Sequence, residues 1–202
     1  MKVLKFGGTS VGSIESILEV KKIVEAQQEP VVVVVSALGG ITDQLYHVSN
    51  LAAAGDPAYL TEIQAITQRH IDVVNGVIPT GKRTQVTGEI TTLMDDLSNI
   101  LRGIFLIQDL TQKISNTIAS YGERASSTII GHVIDNAVVY DSREFIKTVP
   151  QFTKYVVDYE TTNKKIKQYF ATEQQIVVCG GFISSDVTTG VITNLGRGGS
   201  DY

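Results

Sequence analysis

Short β-branched runs alternate along this chain with longer segments in which apolar residues recur every three to four positions. That alternation predicts an α/β layered fold rather than a sandwich or a bundle. Val3, Leu4 and Phe6 predict a first strand ending at Gly7-Gly8, and Ile14, Ile17, Leu18, Val20, Ile23 and Val24 form the stripe of a helix after it. Pro30 separates that helix from Val31–Val35, a run without polar alternation. Such a run predicts a strand covered on both faces, as in the centre of a parallel sheet. It leads into a second glycine-bearing turn, Ser36-Ala37-Leu38-Gly39-Gly40-Ile41-Thr42. Helical spacing returns over 43–54, with Leu45, Val48 and Leu51 as its stripe, and over 58–74, with Leu60, Ile63, Ile66 and Val73; Gly55-Asp56-Pro57 breaks the pair. A turn-rich connection is expected over 76–82, then helices near 90–104 and 111–134, the second carrying Gly122-Glu123-Arg124. Residues 138–140 and 176–178 predict two more buried strands with a short basic helix, 163–170, between them. A hairpin is expected around Ile183 and Ile192, with Asp186 and Gly190 available for its turn.

Composition narrows this picture without changing it. With 202 residues, 43% of them hydrophobic, the chain can bury roughly 70% of its unfolded surface as one domain. Seventeen Lys and Arg against 21 Asp and Glu give a net charge of −4, so no basic field is available for nucleic acid or an anionic membrane surface. Cys179 is the sole cysteine, which excludes an internal disulfide framework and a Cys-rich zinc site. The longest aliphatic run, Val31–Val35, falls far short of a bilayer span, and Lys5 with Gly7-Gly8 interrupts any signal-peptide stretch. A reducing, cytoplasmic setting is the expectation. The chain stops on Gly196-Arg197-Gly198-Gly199-Ser200-Asp201-Tyr202, a turn that would normally lead into another element, so it reads as part of a longer protein.

The turns carry the candidate chemistry. Lys5-Phe6-Gly7-Gly8-Thr9-Ser10 sets a lysine at the end of a strand before two glycines, two hydroxyls and a helix start. Its backbone N–H groups and the helix terminus suit a phosphate. Lys5 would add a cation worth about 4 kcal/mol at 4 Å and an effective dielectric near 20; a plain strand-to-helix turn with a solvated lysine is the other reading. Gly7, Gly8 and Gly12 do not fit the dinucleotide fingerprint, and no acid ends the second strand, so a nicotinamide cofactor is not expected. Gly76 to Lys82 matches the start of a P-loop, but Arg83 stands where Ser or Thr must bind magnesium and no strand precedes it.

Ser36 and Thr42 lie at the carboxyl end of a buried strand, where open α/β sheets bind ligands, although a Ser ending a strand and a Thr capping a helix are also routine. Glu123 is either a carboxylate aimed into a cleft or half of a local ion pair. Arg197, Ser200 and Asp201 put a guanidinium, a hydroxyl and a carboxylate on a glycine-rich backbone that can approach a ligand closely. His47, His70 and His132 have no metal-ligand spacing, and Cys179 between Val178 and Gly180 is expected to be buried rather than reactive.

Taken together and in this order, Lys5-Phe6-Gly7-Gly8-Thr9-Ser10-Val11, the valine strand into 36–42, Gly122-Glu123 and Leu195-Gly196-Arg197-Gly198-Gly199-Ser200-Asp201-Tyr202 resemble the aspartokinases. The likeness runs from the second residue to the last. It implies the amino-acid-kinase fold, a three-layer αβα sandwich around a mainly parallel sheet. Residues 1–202 would be the N-terminal, amino-acid-binding part of the catalytic domain, with most of the nucleotide site and the regulatory modules beyond them. It implies ATP-dependent phosphorylation of the L-aspartate β-carboxylate, with Mg²⁺, in a protein that is a homo-oligomer at full length. By the same resemblance Lys5, Gly7 and Gly8 would hold the phosphates, Ser36 and Thr42 would line the aspartate pocket, Glu123 would face the α-ammonium and Arg197 the α-carboxylate. Ser200 would assist there, and Asp201 would orient Lys5 or help position the reacting carboxylate; no metal ligand from the protein is implied. Two alternatives stand beside it. One is another kinase of the superfamily, acting on glutamate, acetylglutamate, carbamate or a nucleotide, and the other is a domain that binds an amino acid without catalysis. A substrate with a blocked amine would leave Glu123 without a purpose.

Overall fold

The computed structural model describes residues 1–152, 154–172 and 175–195. Strands β1 (Lys2–Phe6), β2 (Val31–Val35), β6 (Ile176–Gly180) and β3 (Ala137–Val139) form a four-stranded sheet in the order β1-β2-β6-β3, all parallel. Parallel neighbours need long crossovers, and here these are helical. α1 (Ile14–Glu25) links β1 to β2, and α2 (Ile41–Ala53), α3 (Tyr59–Val77), α4 (Thr80–Ile107) and α5 (Gln112–Val133) fill the span between β2 and β3. The expected central strand is β2: Val31, Val33 and Val35 pack into the large core shared with α1 through α5, whereas Val32 and Cys179 pack on the opposite face with Phe145. That second face is covered by α6 (Ser142–Phe145) and α7 (Tyr159–Phe170), whose Ile166 and Phe170 join the smaller cluster. The result is the expected three-layer α/β arrangement.

Local signals explain most of the elements. Ser13 caps α1 through a reciprocal capping box with Ser16, and Thr111, Asp141 and Asp158 cap α5, α6 and α7. Ile17, Val20 and Val24 bury fully or nearly so, each stabilising by about 2 kcal/mol, while Ile14, Leu18 and Ile23 of the expected stripe stay at least one-third exposed. Similarly Leu60 is 52% exposed and its neighbour Tyr59 is buried in its place, stacked near Phe105. Both differences arise because each helix meets the core along a narrower arc than its apolar residues span.

The structure departs from the sequence reading in two places. The connection expected over 76–82 shrinks to Ile78 and Pro79, because α3 runs through Val77 and α4 starts at Thr80. Gly76 lies inside α3, where a Cβ would run into the Ile14 side chain of α1; the glycine leaves room for that side chain. The P-loop match is therefore helical at both ends. A second sheet, in the order β5-β4-β7-β8, was only half expected. The β7 (Ile183–Asp186) and β8 (Ile192–Asn194) hairpin matches the sequence, but β4 (Lys147–Gln151) pairs antiparallel with β5 (Lys154–Val157) and parallel with β7. Pro150 hides β4 from sequence reading, yet β7 pairs only with Lys147 and Thr148, so the missing N–H lies beyond that ladder.

Candidate active site

Three chain crossings leave the same end of the parallel sheet. Register aligns Lys5 with Val34 and Val34 with Cys179, then Phe6 with Val35 and Val35 with Gly180. Two bonds extend this pairing into the loops, Ser36 N–H to Phe6 O at 3.1 Å and Gly181 N–H to Val35 O at 3.1 Å. The turn after β1 and the turn after β2 then meet backbone to backbone. A Cβ on Gly8 would lie 3.2 Å from Ala37 O, and one on Gly39 would lie 3.1 Å from Gly8 O. Any larger residue would push the two turns apart.

Among the described residues, no group accepts from the backbone N–H of Gly8, Thr9, Gly39 or Gly40. Four such donors in two touching turns, beside the positive end of α2, are backbone of the kind that suits an anion. Gly40 precedes α2 with φ of 80° and no side-chain cap, a conformation glycine adopts without strain. Thr42 therefore is not the helix cap; it sits half-buried in the first turn of α2, and Ser36 is half-buried at the end of β2.

Glu123 closes the floor of this region. It projects from α5, is 4% exposed, and its Oε2 accepts from Phe182 N–H at 2.7 Å. Burial pushes its pKa up to about 7, against the pull of the N–H donors of Phe182, Ile183 and Gly181 and of the Lys5 cation. Glycines on both sides make the room. A Cβ on Gly180 would lie 2.8 Å from Glu123 Oε2, and one on Gly122 would lie 2.9 Å from Ala37 Cβ. α5 thus presses directly on the β2–α2 turn, and one turn later Ser126 Oγ donates to Ser36 O at 2.7 Å. The local ion-pair reading of Glu123 fails, since the Arg124 guanidinium lies over the Tyr121 ring, 4.5 Å from its centroid.

Lys5, Gly7, Gly8, Ser36, Thr42 and Glu123 consequently belong to elements that converge at one end of the sheet, although they are 118 positions apart between Lys5 and Glu123 (123 minus 5). Arg197, Ser200 and Asp201 lie outside the described residues. Sequence reasoning missed Ser126, which follows Gly122 by one helical turn, and Arg69, which carries no signal beyond helical spacing. It also missed the main chain of 181–183, whose role depends on the fold. The remaining candidates go elsewhere. His70 is buried in α3, His132 pairs with Glu89 at 2.8 Å, and Cys179 is buried with its thiol pushed up to about 11 by burial. Among the described residues no group of three His, Cys, Asp or Glu side chains could hold a metal ion, and no helix is long and apolar enough to cross a membrane.

A cation, a buried carboxylate and a set of open N–H donors can hold an anion and an ammonium group side by side. Comparison with known proteins gives the family. The chain is 28% identical to the chloroplastic bifunctional aspartokinase/homoserine dehydrogenase 1 of Arabidopsis thaliana over 99% of its own length and 23% of that protein. It is 31% identical to the aspartokinase of Chlamydia trachomatis over 99% of its length and 44% of that protein. The chain thus spans less than half of these curated relatives. Escherichia coli aspartokinase III, solved in complex with aspartate and ADP, superposes with a TM-score of 0.87 at 24% identity, over all of this chain and 45% of that one. The sequence pattern of the amino acid kinase family matches residues 1–202, and the chain belongs to that family.

Proposed function

We propose that residues 1–202 are the amino-acid-binding part of an aspartokinase catalytic domain, and that the protein transfers the γ-phosphoryl group of ATP to the β-carboxylate of L-aspartate. The product would be 4-phospho-L-aspartate, the first step of the aspartate route to lysine, threonine and methionine. One observation carries the reading: the buried Glu123 carboxylate lies at the junction of three loops from one sheet end, within the field of Lys5. The names of the relatives support the substrate.

The chemistry asks for positioning rather than for a base. A β-carboxylate is ionised at neutral pH, so it attacks phosphorus without being deprotonated. Two anions must instead be brought together in line, which fixed cations and backbone donors accomplish. Lys5 and the N–H groups of the Gly7-Gly8 turn would hold the phosphates. The touching glycine backbones fit that task, since a Cβ on Gly8 would crowd the opposing turn. Mg²⁺, when bound, would neutralise phosphate charge; no described cluster of protein ligands is needed for it if the phosphates themselves supply the oxygens. Ser36 and Thr42 would line the aspartate pocket and Glu123 would receive the α-ammonium. Arg197, Ser200 and Asp201 are assigned as before, to the α-carboxylate, the pocket and the orientation of Lys5. A homo-oligomeric protein in the cytoplasm completes the proposal.

Hydroxylamine trapping tests it. The protein that carries these residues should form a hydroxamate from aspartate and none from glutamate or acetylglutamate. Lys5→Ala should lower kcat at least ~10²-fold, the scale for losing a transition-state donor. Wild-type turnover in that variant would remove Lys5 from the machinery, and a hydroxamate from acetylglutamate instead would move the protein to another branch of the family.

A further inference from the structure

Arg69 belongs to α3, a helix that contributes nothing else to the sheet end, yet its Nη2 donates to the Gly39 carbonyl at 2.6 Å. Among the described residues no carboxylate pairs with this guanidinium. It is half-buried, so its charge is spent on a backbone oxygen, a charge-assisted bond stronger than a neutral one. The acceptor is well chosen. A trans peptide holds its C=O and the following N–H on opposite sides, so tethering the Gly39 oxygen toward α3 turns the Gly40 N–H away from α3. Gly40 then starts α2 in the left-handed region, with the Ile41 N–H bonded to Leu38 O at 2.9 Å and the Gln44 N–H to Gly40 O at 3.1 Å. The same Gly39 touches the backbone of Gly8. One side chain therefore bears on the open donors of Gly39 and Gly40, on the start of the helix that carries Thr42, and through Gly39 on the phosphate turn.

We propose that Arg69 is a positioning residue that locks the 39–40 peptide, and with it the helix start and both glycine turns, in the geometry the reaction needs. The kinetic consequences rest on the aspartokinase reading; the structural ones do not. Helix α2 has no side-chain cap, so the turn lacks the local device that ordinarily fixes such a junction, and the guanidinium supplies the restraint from outside.

The test pairs kinetics with amide hydrogen exchange on the whole protein. Arg69→Met should lower kcat/KM for aspartate ~10- to 100-fold, the scale on which small misplacements of reacting groups act, with the thermal midpoint changed by no more than a few degrees. Amides of Ile41 and Gln44 should exchange ~10-fold faster while those of α5 do not change. Arg69→Lys, which can still donate to Gly39 O, should return most of the loss, and millimolar guanidinium should restore part of the activity of Arg69→Ala. Unaltered exchange at Ile41 and Gln44 in Arg69→Met overturns the proposal, as does a lysine variant as impaired as the methionine one. If the unaltered protein forms no aspartyl hydroxamate, the functional reading fails by itself, and the exchange data alone then decide the role of Arg69.

Discussion

Glu123 and His70 are both buried, and their surroundings differ in kind. Glu123, at the end of the parallel sheet, is met by backbone donors from 181–183 and by the field of Lys5, with glycines at 122 and 180 leaving space around it. His70, in the helical layer, is wholly buried; its Nδ1 meets Ile66 O at 2.7 Å and its Nε2 has no partner among the described residues. Burial raises the pKa of the first and lowers that of the second, each toward its neutral form. The histidine achieves neutrality simply by shedding a proton, whereas the carboxylate is kept near its titration point by donors that favour its charge. A group poised in that way is suited to meeting a charged ligand, and one left without a partner is a packing residue.

The largest effect should separate these roles. The pKa of Glu123 rises from 4.5 unfolded to about 7 folded, so its contribution is present in full below 4.5 and is lost as pH rises through 7. At pH 8 the charged group costs about 3 kcal/mol, at 1.36 kcal/mol per unit. Glu123→Gln should therefore melt higher than the unaltered protein at pH 8, match it near pH 4, and raise KM for aspartate. Equal melting at pH 8 would show that the donors already compensate the burial.

Gly122→Ala comes next. Its Cβ would overlap Ala37 Cβ at 2.9 Å and crowd Leu45 and Ile41. Overpacking of about 3 kcal/mol should outweigh the ~1 kcal/mol that alanine adds to a helix, a net loss of about 2 kcal/mol by denaturant titration. A neutral result would mean that α5 and the β2–α2 turn are not pressed together, which would also weaken the placement of Glu123.

The smallest effect belongs to the helical layer. His70→Leu removes an unpaired buried nitrogen and should stabilise by about 1 kcal/mol at pH 7. Because the folded pKa of His70 lies below 6.5, its stability is complete above 6.5 and declines as pH falls. The leucine variant should lose that part of the acid sensitivity in a pH series of melting curves, with turnover unchanged. A loss of activity instead would give His70 a part in the site.

Legibility in the sequence followed the range of the interactions. The parallel sheet was readable because a five-valine run can satisfy its two faces only in the interior, and because glycines at 7, 8, 39 and 40 mark where strands turn. The 147–157 hairpin was not readable, since Pro150 argues against a strand unless the ladder with β7 is known to stop at Thr148. Leu60 and Tyr59 exchanged places for a similar reason, as both fit a helical stripe and only the position of α4 selects between them.

By itself the sequence determined the alternation of elements, the two glycine turns and the residue types at their edges, all of which depend on spacing and on backbone freedom within a few positions. Only the tertiary structure decided that Glu123 meets Phe182 across 59 positions and that Arg69 reaches Gly39 across 30. The physical reason is that burial and electrostatic field are properties of whatever surrounds a group in space, and periodicity along the chain carries no record of those neighbours.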